Sequence, residues 1–144
     1  MEHPRIRILL ADDQPEMLET VTRLLKEEFN VIGTVANGKR AIEAAARLAP
    51  DLVVLDISMP VLNGIEAAAR LKESGSLAKA IFLTVNEDPH IVEAALSVGG
   101  RGYVLKQRLA TDLIAAIRHV LSDRIFVSPP VRMSKSRWEQ PILT

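Results

Sequence analysis

Residues 52–56 read LVVLD, four aliphatic side chains closed by a single acid, Asp56. A short unbroken apolar run suits a strand covered on both faces, as in a parallel sheet, and not the apolar–polar alternation of a strand with one wet face. The pattern repeats outward from there. Upstream, residues 6–11 form a similar run that ends in Asp12 and Asp13. Residues 15–28 place Met17, Val21, Leu24 and Leu25 on one helical face. Residues 30–36 read as a second strand, and Gly38–Leu48 as a second helix stopped by Pro50. Downstream, residues 64–73 form a third helix and residues 80–85 a fourth strand. Asp88 is placed to cap a fourth helix running through Leu96. Gly99, Gly100 and Gly102 turn the chain into a fifth strand, residues 103–106. Residues 109–121 form the last helix, with Leu113, Ile114, Ile117 and Leu121 as its expected buried stripe. Five βα units in strict alternation predict an α/β fold, a parallel sheet with helices on both faces.

Composition narrows the function classes. The 144 residues carry 18 basic and 18 acidic side chains, a balance unlike that of a charge-driven nucleic-acid or membrane binder. With no cysteine, a disulfide framework or thiolate metal site is excluded. Cysteine usage and the lack of an apolar leader at Met1–Arg5 lead us to expect a cytoplasmic protein, and no apolar run approaches bilayer length. His3, His90 and His119 lie far apart without a metal-ligand spacing and read as surface or helix-face residues.

The polar residues at the strand ends carry the chemistry. Asp12 and Asp13 follow the first strand, Asp56 ends the third, Thr84 lies near the end of the fourth and Lys106 ends the fifth. Taken singly these are ordinary turn, cap or strand residues. Together they fall at the carboxyl ends of one βα series, where open parallel sheets bind ligands at the switch point of strand order. In the common 2-1-3-4-5 order, Asp12, Asp13 and Asp56 converge there. Three carboxylates in one crevice raise each other's pKa and call for a positive charge, and a few oxygen ligands with an open position suit Mg²⁺ better than Ca²⁺. Such a site fits phosphoryl transfer to a carboxylate. Asp56 is then the nucleophile, Asp12 and Asp13 hold the metal, and Lys106 and the Thr84 hydroxyl contact the phosphoryl group.

The segments ILLADDQP, LVVLDISMPVLNGIEA, IFLTVNE and GYVLK resemble response-regulator receiver domains over residues 5–127. The stretch around Asp56, with Pro60 and Gly64, is the specific part. The resemblance implies a flavodoxin-like (βα)5 doubly wound fold of order 2-1-3-4-5. It implies that Asp56 takes a phosphoryl group from a histidine kinase, and that the Ser58 carbonyl joins Asp12, Asp13 and Asp56 around Mg²⁺. It also implies a switch, in which Thr84 moves toward the phosphoryl group, Tyr103 turns inward, and the surface of the fourth helix, fifth strand and fifth helix changes its partner. Such a receiver is not a conventional enzyme, although self-phosphorylation from small donors and autodephosphorylation are expected of it.

Two positions depart from the family pattern. Gln107 stands where proline is common, so the family's Lys-Pro turn is absent or replaced; Val85 is larger than the usual residue after the threonine, so slower phosphorylation by small donors or slower dephosphorylation is expected, and equal rates in wild type and Val85→Ala would sink that expectation. GYVLKQ and VLSDRIFVSPPV resemble the NarL/FixJ-type DNA-binding regulators. Residues 128–144 therefore read as a tail or linker toward a helix-turn-helix output domain absent here, with the chain cut at Pro141–Thr144. DNA contact would run only through that domain, since Arg132, Lys135 and Arg137 are too few to bind it alone. The alternative is a stand-alone receiver acting by protein contact. An aspartate-based phosphatase is more remote, because it wants D-x-D on the first strand, and a nucleotide binder would want a glycine-rich loop where ADDQPE stands. The fourth helix (Ile91, Val92, Leu96) and the start of the fifth (Leu109, Ala110) offer a homodimer face or a plain sheet-covering face.

Overall fold

The structure, a computed structural model, describes residues 5–129. Its elements are β1 (Arg7–Ala11), α1 (Pro15–Leu25), β2 (Asn30–Val35), α2 (Gly38–Leu48), β3 (Leu52–Asp56) and α3 (Gly64–Glu73). They continue with β4 (Lys79–Thr84), α4 (Pro89–Ser97), β5 (Gly100–Leu105), a 3-10 turn (Lys106–Arg108), α5 (Leu109–Leu121) and β6 (Phe126–Val127). All strands are parallel in the order β2-β1-β3-β4-β5-β6. The expected order holds, with one more strand at the β5 edge.

Every residue of β3 is buried, as its unbroken apolar run predicts. Side-chain alternation sends the two halves of that run into different cores. Val53 and Leu55 join Leu9, Ala11, Phe82 and Tyr103 under α2, α3 and α4. Leu52 and Val54 join Ile8, Leu10, Ile81 and Val104 under α1 and α5. The α2 and α3 faces are built from alanines (Ala41, Ala44, Ala45, Ala67, Ala68), which let both helices lie close to the sheet. Asn37 and Asn63 cap α2 and α3, the latter in a capping box with Glu66, and Asp88 caps α4 as expected.

Several boundaries move for physical reasons. The first helix stops at Leu25, three residues early, because buried Phe29 pulls the following turn into the core. The fifth strand starts at Gly100, not Tyr103. Its glycines serve close approach more than turning: a Cβ on Gly100 would collide with the Phe82 ring, and one on Gly102 would crowd Ile81. Lys106 leaves the strand for the 3-10 turn. On α5 the buried face is rotated from the expected stripe. Leu113 and Ile117 are buried with Asp112, Ala116 and Val120, while Ile114 and Leu121 are half-buried. Strand β6 was not expected, and Ser128, assigned by sequence to the tail, is wholly buried. The expectations for His3 and for residues 130–144 lie outside the described residues. No helix among the described residues is long and apolar enough to cross a membrane.

Candidate functional site

β1 and β3 are neighbours, with Ala11 paired to Leu55, so the next residue on each strand, Asp12 and Asp56, sits side by side at the sheet's carboxyl edge. This is the switch point, since β2 lies on one side of β1 while β3, β4 and β5 extend on the other. Asp12 and Asp56 are buried, and Asp13 is exposed on the rim. One carboxylate oxygen from each of the three lies within 4.8 Å of the others. Lys106 enters from the end of β5, its Nζ 3.0 Å from Asp12 Oδ2 and 3.4 Å from Asp56 Oδ2.

The backbone holds the other faces of these acids. The Gln14 N–H donates to Asp12 Oδ1 at 2.9 Å, and the Ser58 N–H donates to Asp56 Oδ1 at 3.2 Å. The loop that carries Ser58 is fastened behind the site, where the Gly64 N–H donates to the Ile57 carbonyl at 2.9 Å. A Cβ on Gly64 would strike the Asp56 carbonyl oxygen, so only glycine lets α3 start this close to the acid.

The electrostatics are unbalanced. The Asp56 carboxyl is pushed up from 3.8 to about 6, first by burial and then by the charge of Asp12, while Lys106 and the Ser58 N–H act in the other direction. Asp12 Oδ2 is buried and has no hydrogen bond; Lys106 approaches it as an ion-pair partner outside hydrogen-bonding direction. One lysine thus pairs with the two buried carboxylates, Asp12 and Asp56, while Asp13 adds a third negative charge beside them. A hard divalent cation with oxygen ligands fits that donor set.

Thr84 is buried, and its Oγ1 accepts from the Asn86 N–H at 3.2 Å. Tyr103, a half-buried strand aromatic on the plain reading of its position, is wholly buried, and its hydroxyl donates to the Asn86 carbonyl at 2.7 Å. Burial pushes that hydroxyl's pKa up to about 12. The β4–α4 loop is therefore tied to both residues. Val85 is 70% exposed, so most of its side chain faces solvent at the rim. Gln107 lies in the 3-10 turn, and its Nε2 donates to Glu87 Oε2 at 3.1 Å. His90 is exposed on α4, while the His119 ring packs edge-on against Phe126 with Nδ1 2.9 Å from the Ala115 carbonyl.

One polar cluster escaped the sequence reading. Buried Asp112 takes Arg108 at 2.8 and 3.3 Å and the Ser128 hydroxyl at 2.6 Å. Asp112 resembles an ordinary acid in a helix's first turn. Its spacing of four and eight from the buried Ala116 and Val120 is the signal that it faces inward.

A doubly wound topology with a carboxylate cluster and a lysine at its switch point is the arrangement of a two-component receiver domain. The chain belongs to the response regulator receiver domain family, whose model matches residues 8–118. It is 36% identical over 139 residues to the transcriptional regulatory protein YvfU of Bacillus subtilis, covering 95% of this chain and 70% of the relative. It is 33% identical over 123 residues to the nitrate/nitrite response regulator NarL of Escherichia coli K12, covering 84% of this chain and 57% of that protein. Among solved structures, a LuxR-family two-component response regulator from Aurantimonas sp. SI85-9A1 superposes with a TM-score of 0.84 at 29% identity, covering 88% and 92% of the two chains. The isolated receiver domain of RcsB from Salmonella Typhimurium, solved with phosphomimetic BeF3−, gives 0.80 at 28% identity, covering 88% and 96%.

Proposed function

We propose that Asp56 accepts a phosphoryl group from a phosphohistidine of a partner kinase, and that the resulting change of surface regulates transcription through an output domain joined to residue 128 and beyond. The observation that carries this reading is the meeting of Asp12, Asp13 and Asp56 within 4.8 Å, with Lys106 beside two of them. An Asp56 carboxylate oxygen attacks phosphorus in line as the P–N bond breaks, and the imidazole keeps the bonding electron pair. With its pKa near 6, Asp56 is mostly ionised and nucleophilic at neutral pH. Mg²⁺, held by Asp12, Asp13, Asp56 and the Ser58 carbonyl, would neutralise charge on the phosphoryl oxygens. Lys106 exchanges a carboxylate for a phosphoryl oxygen, and the Thr84 hydroxyl turns from the Asn86 N–H to donate to another. Tyr103 already lies inward, so the switch on this reading is a repacking of the β4–α4 loop around it. The similarity to transcriptional regulators supports an output on DNA. A receiver acting alone through protein contact is the second reading, since the same switch would serve it.

Incubation with acetyl phosphate and Mg²⁺, followed by intact mass, tests the assignment. One added phosphoryl group is expected in wild type and none in Asp56→Asn. No adduct with any donor, or an adduct that survives the substitution, overturns it.

A further inference from the structure

Ser128 is the last buried residue among those the structure describes, and three hydrogen bonds hold it. Its N–H donates to the Tyr103 carbonyl at 2.8 Å. Its Oγ accepts the Leu105 N–H at 3.1 Å and donates to Asp112 Oδ2 at 2.6 Å. The same Oδ2 takes Arg108 Nε at 2.8 Å. Arg108 ends the three-residue turn that Lys106 begins, and Lys106 is the lysine in contact with Asp12 and Asp56.

These contacts form one continuous chain: Asp56, Lys106, the 3-10 turn, Arg108, Asp112, Ser128. We propose that the Arg108–Asp112–Ser128 cluster couples occupancy at Asp56 to the position of the chain that follows residue 128. The proposal rests on Asp56 being the phosphoacceptor. The physical ground is a single carboxylate oxygen shared by two donors, Arg108 Nε and Ser128 Oγ. A phosphoryl group on Asp56 adds anionic oxygens that draw Lys106 off Asp12, and on this proposal the pull passes along the three-residue turn from Lys106 to Arg108. Arg108 then moves relative to Asp112 Oδ2, the atom that also anchors Ser128. A buried hydroxyl whose acceptor is disturbed has no water to replace it, so the exit strand must readjust. The Ser128–Tyr103 bond provides a second link from the same exit to the strand carrying the buried tyrosine. By linkage, anything that restrains the chain after residue 128 also biases the site.

The test uses residues 1–144 and the chain's one tryptophan, Trp138, ten residues past Ser128. Loading of Asp56 by beryllofluoride and Mg²⁺ is followed by 19F NMR, and Trp138 is followed by fluorescence anisotropy. In wild type, loading should change the anisotropy. Arg108→Gln, a substitution at a partly exposed side chain, and Ser128→Ala should load beryllofluoride yet lose the anisotropy change, with circular dichroism as in wild type. If Ser128→Ala unfolds, Arg108→Gln alone decides. An unchanged Trp138 signal in loaded wild type, or a full response in loaded Arg108→Gln, overturns the coupling. Failure of wild type to load beryllofluoride overturns instead the assignment of Asp56 on which the coupling stands.

Discussion

Asp56 pays for its position in protonation free energy. Its carboxyl titrates at about 6 in the folded protein against 3.8 unfolded. Between those values the folded state holds a proton that the unfolded state has released, so metal-free stability falls as pH rises through this window. Asp56→Asn removes the ionising group. In EDTA its melting temperature should pull ahead of wild type as pH climbs from about 4 to 6, then keep a constant lead. A lead that does not depend on pH would contradict this account. Val61 carries a different strain. It is a β-branched residue at φ 70°, 75% exposed, in the loop between β3 and α3. Such a conformation costs on the order of 1 kcal/mol or more, so Val61→Asn should raise stability in urea unfolding by about that amount. The acids at Asp12, Asp13 and Asp56 were legible in sequence because each sits beside a readable strand. Val61's strain was not, since its neighbours name the turn but not its dihedral.

Elements show where local pattern sufficed and where packing intervened. α3 begins as its residues dictate: Asn63 caps it, Glu66 closes the capping box, and Gly64 admits the helix against Asp56. Asn63→Ala should cost about 1 kcal/mol from the lost cap. Gly64→Ala should cost more, about 2 kcal/mol or above, because backbone must move beside the site. Thermal melts of both variants check the order, and equal losses would show that the close approach is not what Gly64 serves. α1 and β5 departed from expectation for tertiary reasons. Phe29 ends α1 by burying, and Gly100 and Gly102 join β5 because Phe82 and Ile81 fill the space a side chain would need.

At the scale of the whole molecule, β6 and Ser128 close the β5 edge. Ending the chain after Asp123 would leave the Leu105 N–H without its partner and Asp112 with Arg108 alone. That truncation should lower stability by about 2 kcal/mol or more relative to a chain ending after Pro130, measured by chemical unfolding. Equal stability would mean that β6 rests on the domain without supporting it. The sequence by itself determined the five βα units, their parallel pairing and the residues at the strand ends, because hydrophobic period and capping chemistry act over a few neighbouring residues. It determined the family in the same way, through the short segments around Asp12, Asp56, Thr84 and Lys106. Only the tertiary structure decided that Lys106 pairs with both Asp12 and Asp56, that Tyr103 is wholly buried, and that Arg108, Asp112 and Ser128 meet. Those facts depend on which side chains face each other across strands and helices far apart in the chain, and no local pattern records such a meeting.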